Sequence, residues 1–315
     1  MKARKLMAGF TSLVFTALVL GACSPDNNES DGAASSSQAA SSEVVESSSS
    51  AAAETSTEAT PGVTLQDGTY TLEEENYNND YRAVFSIEVE GGKIVASSYD
   101  NVNEAGESKT KNVDYNTNMK AKSGVSPEEF IPAFNESLVA AQNPEALEVV
   151  SGATHSFHSF QNYAQQLIQA AQAGNTEIIK VNNGAELQDG TYTIEQKNYS
   201  NDYRVVFSID VEGGKVVASN YDNLNEAGES KVANAEYNQM MKDKAGIAPE
   251  EFIPAFNEAL VAQMAGEEAA PGNLDVVSGA THSFHTFVLY AEQLINAAEK
   301  GDTNPIIVDN FVEQN

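Results

Sequence analysis

The sequence predicts an α+β protein in which one unit occurs twice, each copy a small antiparallel sheet with helices packed on it. Three observations lead there. Long blocks recur at fixed spacing, each copy passes from alternating to helix-spaced apolar residues, and both copies place the same string, Val-Val-Ser-Gly-Ala-Thr-His, before their last helix-spaced run. Leu65-Gln66-Asp67-Gly68-Thr69-Tyr70-Thr71 returns 122 residues later as Leu187 to Thr193, and Tyr99-Asp100-Asn101 returns as Tyr221-Asp222-Asn223. Gly152 returns 127 residues later as Gly279, so five extra residues fall in Met264 to Asn273, a stretch of Gly, Ala, Glu and Pro that reads as a longer loop. A period this long describes two globular domains rather than a solenoid.

Within each copy the strands come first. Val205, Phe207, Ile209 and Val211 alternate with polar neighbours and are followed by Gly213-Gly214 and a second β-forming run, a hairpin with a tight glycine turn. Phe85, Ile87 and Val89 before Gly91-Gly92 repeat the pattern. Ser126-Pro127-Glu128-Glu129 is a capping-box signature with Pro at the first helical position, and Phe130, Ile131, Phe134 and Leu138 follow at helical spacing. The second copy has Ala248 at the cap, a weaker start. A last helix in the first copy shows Phe157, Phe160, Ala164, Leu167, Ile168 and Ala171 on one face.

Ahead of the repeats lies an export segment. Lys2, Arg4 and Lys5 precede an apolar stretch, Leu13 to Leu20, too short to span a bilayer. Leu20-Gly21-Ala22-Cys23 then resembles the lipobox of bacterial lipoproteins, and Cys23 is the one cysteine of the chain, so no intramolecular disulfide forms. From Ser24 to about Pro61, Ser, Ala, Glu, Asp, Asn and Thr dominate without aromatics, a composition that cannot offset its ordering entropy. It reads as a tether with an end-to-end distance of about 30 to 40 Å. The expected organisation is a signal peptide over 1–22, lipidated Cys23 and tether over 23–62, and two repeat domains over 63–182 and 183–315. The formal net charge of −29 argues against a nucleic-acid partner.

The repeated string carries the chemistry. Ser151-Gly152-Ala153-Thr154 and Ser278-Gly279-Ala280-Thr281 sit at the start of a helix, where unused N–H groups and the helix dipole favour an anion. On spacing alone two readings stand: Ser151 and Thr154 cap the helix, or the threonine hydroxyl carries a phosphate ester. The string, with an acidic residue three positions before its Ser (Glu148 and Asp275), resembles the flavinylation motif of the FMN-binding domain family, found in flavin-bearing subunits of sodium-pumping NADH:quinone reductases and related ferredoxin-linked pumps. The Asp-Gly-Thr-Tyr segments, the hairpin and the helix before the motif share in the resemblance. It implies covalent FMN on Thr154 and Thr281, attached by a separate flavin transferase that uses FAD. That family prefers Asp at the acidic position, so Glu148 departs from the pattern where Asp275 keeps it. With the lipobox and tether, the chain resembles flavin-bearing surface lipoproteins of Gram-positive extracellular electron transfer. Membrane dehydrogenases and quinones are then the electron donors, and ferric iron or another external compound the acceptor. In relatives of that kind the cleaved signal peptide yields a pheromone; here the segment is Phe15 to Ala22. The protein is expected to be an electron carrier more than a substrate-specific enzyme.

All four histidines lie at the end of the two strings or three residues beyond it. His155 and His158 share a helical face at metal-ligand spacing, but with no cysteine or second pair in the repeat they make half a zinc site. The preferred reading puts His155 and His282 beside the phosphoester or flavin and lets His158 and His285 pack. Tyr81, Tyr99, Tyr203 and Tyr221 are further candidates to meet a flavin, against the plainer reading of sheet surface. No Gly-x-Ser-x-Gly elbow, P-loop, dinucleotide fingerprint or zinc-protease helix is present, which leaves a conventional hydrolase, kinase or nicotinamide enzyme without residues. The rival class is a surface binding or adhesion lipoprotein that uses the repeat as a scaffold. Replacing Cys23→Ala is expected to move most of the protein from the membrane to the soluble fraction; continued sedimentation with membranes would refute lipid attachment at that residue.

Overall fold

The computed structural model describes residues 64–266 and 269–312. The signal peptide, Cys23 and the tether lie outside the described residues. The first repeat runs β1 (Gly68–Glu74), β2 (Arg82–Glu90), β3 (Lys93–Val102), α1 (Val113–Ser123), α2 (Pro127–Ala141), α3 (Thr154–Ala173) and β4 (Ile179–Val181). The second repeats it as β5 (Gly190–Gln196), β6 (Arg204–Glu212), β7 (Lys215–Leu224), α4 (Ala235–Ala245), α5 (Pro249–Met264), α6 (Thr281–Lys300) and β8 (Ile306–Val308). The two sheets have the order β3-β2-β1-β4 and β7-β6-β5-β8. Three strands of each are antiparallel, as the alternation predicts, while β4 and β8 join their sheet parallel to β1 and β5.

The hairpin turns are Gly91-Gly92 and Gly213-Gly214, all with positive φ, the conformation that matches strand twist in a two-residue turn. The Asp of each Asp-Gly-Thr-Tyr segment fastens that turn: Asp67 Oδ1 accepts from the Gly92 N–H at 2.9 Å and Asp189 Oδ1 from the Gly214 N–H at 3.0 Å. These repeated aspartates are structural.

Each repeat has its own core of sheet and helices. At the centre of the first, Phe160 stacks on Phe85 at 5.1 Å and on Phe134 at 5.0 Å, and Tyr99 meets its edge at 5.3 Å. Phe287 stacks in the same way on Phe207 and Phe256, both at 5.1 Å, with Tyr221 at 5.2 Å. Phe160 and Phe287, five residues past each repeated string, are therefore the pins that hold α3 and α6 to their sheets, and edge and offset contacts of this kind add to the energy of burial. Asn135 clamps α2 to β3 by accepting from the Tyr99 N–H at 2.7 Å and donating to the Tyr99 carbonyl at 3.1 Å; Asn257 does the same for Tyr221. The expected weaker start of α5 takes a specific form. Glu129 accepts from both the Ser126 N–H and its hydroxyl, whereas Glu251 accepts from the Ala248 N–H alone at that cap.

The repeats meet through α3 and α6 in a band of amides. Asn162 donates to Asn296 at 2.8 Å, Gln166 to Asn296 at 3.1 Å and Gln169 to Gln293 at 3.1 Å. Around it, Gln172 donates to the Asp309 carbonyl and the Gly184 N–H to Glu299.

One contact ties the motif turn to the rest of each repeat. Gly152 has φ +82°, and a Cβ there would lie 2.1 Å from the Ser123 carbonyl oxygen at the end of α1. Gly279, at φ +85°, would meet the Ala245 carbonyl oxygen at 2.5 Å. Gly106 has similar φ, +77°, but open space at its Cβ position. Gly152→Ala is expected to cost about 2 to 3 kcal/mol from strain and overlap, against about 1 for Gly106→Ala. The corresponding fall in thermal midpoint is several degrees; equal midpoints for the two variants would show that the turn yields without resistance.

Candidate functional site

The turn Val150 to Ala153 closes with a hydrogen bond from the Ala153 N–H to the Val150 carbonyl at 3.0 Å, and the Phe157 N–H then bonds to the Ala153 carbonyl at 2.8 Å. Ala153 is thus the N-cap, and no side chain caps α3. Ala280 holds the same place before α6, with bonds of 3.1 and 2.8 Å. The capping reading of Ser151 and Thr154 is corrected by this geometry. Thr154 and Thr281 are the first residues inside their helices, and both are exposed. A helix start with no capping side chain leaves first-turn N–H groups unsatisfied beside the threonine hydroxyl. Ser151 and Ser278 are exposed, as are Glu148 and Asp275, so the extra methylene of Glu148 meets no obstruction.

Thr281 borders a cavity of about 460 Å³, within the usual range for small-molecule sites. Its apolar wall is Tyr203, Tyr221, Tyr237 and Phe252, and its polar wall includes His282, Thr286 and Lys231. Lys231 Nζ lies 5.0 Å from the Tyr203 ring centroid and 4.4 Å from that of Tyr237, a cation held between two aromatic faces. Asn234 fixes the bracket by donating to the Tyr203 hydroxyl at 2.9 Å. Among the tyrosines singled out in sequence, Tyr203 and Tyr221 are brought to this wall. Tyr99 and Tyr221 are both core residues, at 3% and 2% exposure, so Tyr221 reaches the cavity only from its packed position on the sheet.

The first repeat keeps the bracket, with Lys109 Nζ 5.0 Å from Tyr81 and 4.3 Å from Tyr115. Its cavity differs. A space of about 480 Å³ has His155, Ser159, Tyr163 and Glu74 on its wall, with Pro271, Glu292 and Glu299 from the second repeat. Thr154 does not line it. The second-repeat cavity thus joins motif threonine, histidine and aromatic wall in one place.

His155 and His282 are exposed, free to approach a bound group, whereas His158 and His285 are half-buried. Burial, helped by the charges of His285 and His155, pushes the His158 ring down to about 4. His285 is lowered chiefly by burial. These two are the more buried histidine of each pair. Sequence reasoning did not name Lys109, Lys231, Tyr115 and Tyr237, although their recurrence at the 122-residue offset was a visible signal. It also missed Glu145 and Glu292, which differ between the copies and so stand outside the repeated pattern.

Burial raises the Glu292 carboxyl to about 8, and Glu145 and Glu299 are raised for the same reason. An acid that keeps its proton in the fold contributes stability at low pH that is lost as pH climbs from the ordinary glutamate range through its native value. His158 acts oppositely, losing its contribution on acidification from 6.5 towards about 4. Above pH 6.5 it is neutral in both states, so the acids alone act there. Between pH 6.5 and about 8.5, the thermal midpoint is expected to fall more for the wild-type chain than for Glu292→Gln; parallel curves would refute the assignment.

No protein-family model matches the chain. The 15 kDa lipoprotein of Treponema pallidum is 32% identical over 117 residues, 37% of this chain and 83% of that protein. Among solved structures, the crystal structure of the CPE2226 protein from Clostridium perfringens is 34% identical with a TM-score of 0.36, covering 37% of this chain and 97% of that one. A solution structure from Clostridium thermocellum is 23% identical with a TM-score of 0.24, covering 34% and 92%. With most of the Treponema protein's length matched at that identity, this chain belongs to the family of the 15 kDa lipoprotein.

Proposed function

We propose that this protein is a lipid-anchored flavoprotein that carries FMN in phosphoester linkage on Thr154 and Thr281. It relays electrons from membrane quinones or dehydrogenases to ferric iron or another external acceptor. Cys23 is the anchor, and the outer face of a Gram-positive membrane is the place. Attachment joins the threonine Oγ to the phosphorus of the FMN half of FAD and breaks the pyrophosphate bond. AMP leaves, the hydroxyl proton is released, and the separate flavin transferase catalyses the exchange.

The observation that carries this reading is the position of Thr281. An exposed hydroxyl on the first residue of a long helix stands at the mouth of a tyrosine-lined cavity of small-molecule size. The residues fit the group in kind. First-turn N–H groups suit a phosphodiester, Tyr203 and Tyr237 give the cavity aromatic lining, and Lys231 supplies a fixed positive charge in a strongly acidic chain. FMN supplies the redox chemistry when bound; the protein attaches it, orients it and sets its electrostatic surroundings. His282 offers a hydrogen bond at the threonine. Lipoprotein kinship supports the anchor, and the flavin rests on the motif and the cavity.

Peptide mass spectrometry on the protein from its native cells is expected to find FMN phosphoester on the peptides containing Thr154 and Thr281. Unmodified threonines alongside an active host transferase would sink the carrier reading and leave a colourless surface scaffold in its place.

A further inference from the structure

The two repeats share a buried tyrosine, Tyr163 on the wall of the first cavity and Tyr290 in the core of the second repeat, each of whose hydroxyls donates to a glutamate. In the first repeat the acceptor is local: Tyr163 donates to Glu74 Oε1 at 2.6 Å, and Glu74 Oε2 accepts from the Ala83 N–H at 2.7 Å. The equivalent strand residue in the second repeat is Gln196, which cannot supply a carboxylate. Its Oε1 accepts from the Val205 N–H and its Nε2 donates to the Tyr290 oxygen, both at 3.0 Å. Tyr290 donates instead to Glu145 Oε1, at 3.2 Å, and Glu145 belongs to the first repeat.

Glu145 stands on the 3₁₀ turn Pro144–Ala146 after α2. That turn is braced, since Asn143 accepts from the Glu145 N–H at 3.0 Å and Gln161 donates to the Pro144 carbonyl at 2.7 Å. The Glu145 side chain lies on the wall of the cavity that holds Thr281 and His282. The matching turn of the second repeat has Gly272, where a Cβ would already lie 2.9 Å from Glu292 Oε1. The substitutions are complementary. Where the strand keeps its acid, the other repeat's turn has glycine; where the strand has Gln, that turn supplies the acid.

We propose that Glu145, contributed by the first repeat, is a positioning residue of the Thr281 site, which is complete only with the first repeat packed against it. The proposal rests on the flavin reading above. Glu145 acts through Tyr290, accepting from that buried hydroxyl, and its side chain lines the same cavity as His282 and the acceptor threonine.

The full-length chain, produced with the flavin transferase and FAD, carries its own control because Thr154 and Thr281 are read in one digest. Glu145→Gln is expected to lower the ratio of flavinylated Thr281 to flavinylated Thr154 roughly tenfold, the effect of about one buried hydrogen bond. Adding Gln196→Glu to that variant moves the carboxylate onto the strand, as in the first repeat, and is expected to restore the ratio. An unchanged ratio in Glu145→Gln overturns the proposal, and so does an equal loss at both threonines, which marks general damage. A double variant that stays low overturns it too, since the carboxylate itself is then not what matters. A wild-type chain bare at both threonines is a different result: the flavin reading fails, and the proposal with it.

Discussion

The contact between the motif glycine and a helix-end carbonyl is the constraint on which the site depends. Gly152 against Ser123 and Gly279 against Ala245 leave no room for a β-carbon, and both glycines need a left-handed backbone. The turn is therefore pressed onto the end of α1 or α4, and the following helix must start at Thr154 or Thr281. Less than two turns further on, Phe160 and Phe287 lock the same helix into the aromatic core. A threonine fixed from both sides has little freedom to move, and because Ala153 and Ala280 cannot cap, no side chain at that position competes for the first-turn N–H groups beside the exposed threonine. The string is thus partly a structural device, and its small residues are required by packing whatever the hydroxyl carries.

What could be read beforehand follows from the range of each interaction. The hairpins, α2 and α3 were legible because alternation, a glycine pair and a capping box are local patterns. Helices α1 and α4 were not, since they are largely polar: each buries just one side chain, Asn116 or Asn238, and offers no apolar stripe. Strands β4 and β8 have three residues each, too few for a period to show. At the site, the threonines and histidines were found because they recur in a conspicuous string. The tyrosine and lysine bracket was equally repeated but spread over Tyr203, Lys231 and Tyr237, and so did not form a motif.

Glu145 marks the limit of such reading. Its partner Tyr290 is 145 residues away, and the residue it replaces, Gln196, lies in a different strand of a different repeat. Comparing the copies flags a Glu facing Gly at one position and a Gln facing Glu at another, but nothing local connects the two differences. Only the packing of α3 on α6 brings the turn of one repeat to the cavity of the other.

That packing is itself unusual in being polar. An apolar helix interface tolerates sliding, because its attraction is non-directional. A row of amides does not, since each Asn or Gln bond between α3 and α6 is lost when the register shifts, and an unmatched buried amide is costly. The acids Glu145, Glu292 and Glu299 lie at the edges of this band, and burial raises all three. Removing their protons would place negative charge at the contact between the repeats, where amides and a tyrosine are the nearest partners. The register of the two helices and the protonation of these carboxyls therefore constrain each other. The shape of both cavities, each walled in part by the opposite repeat, depends on the two together.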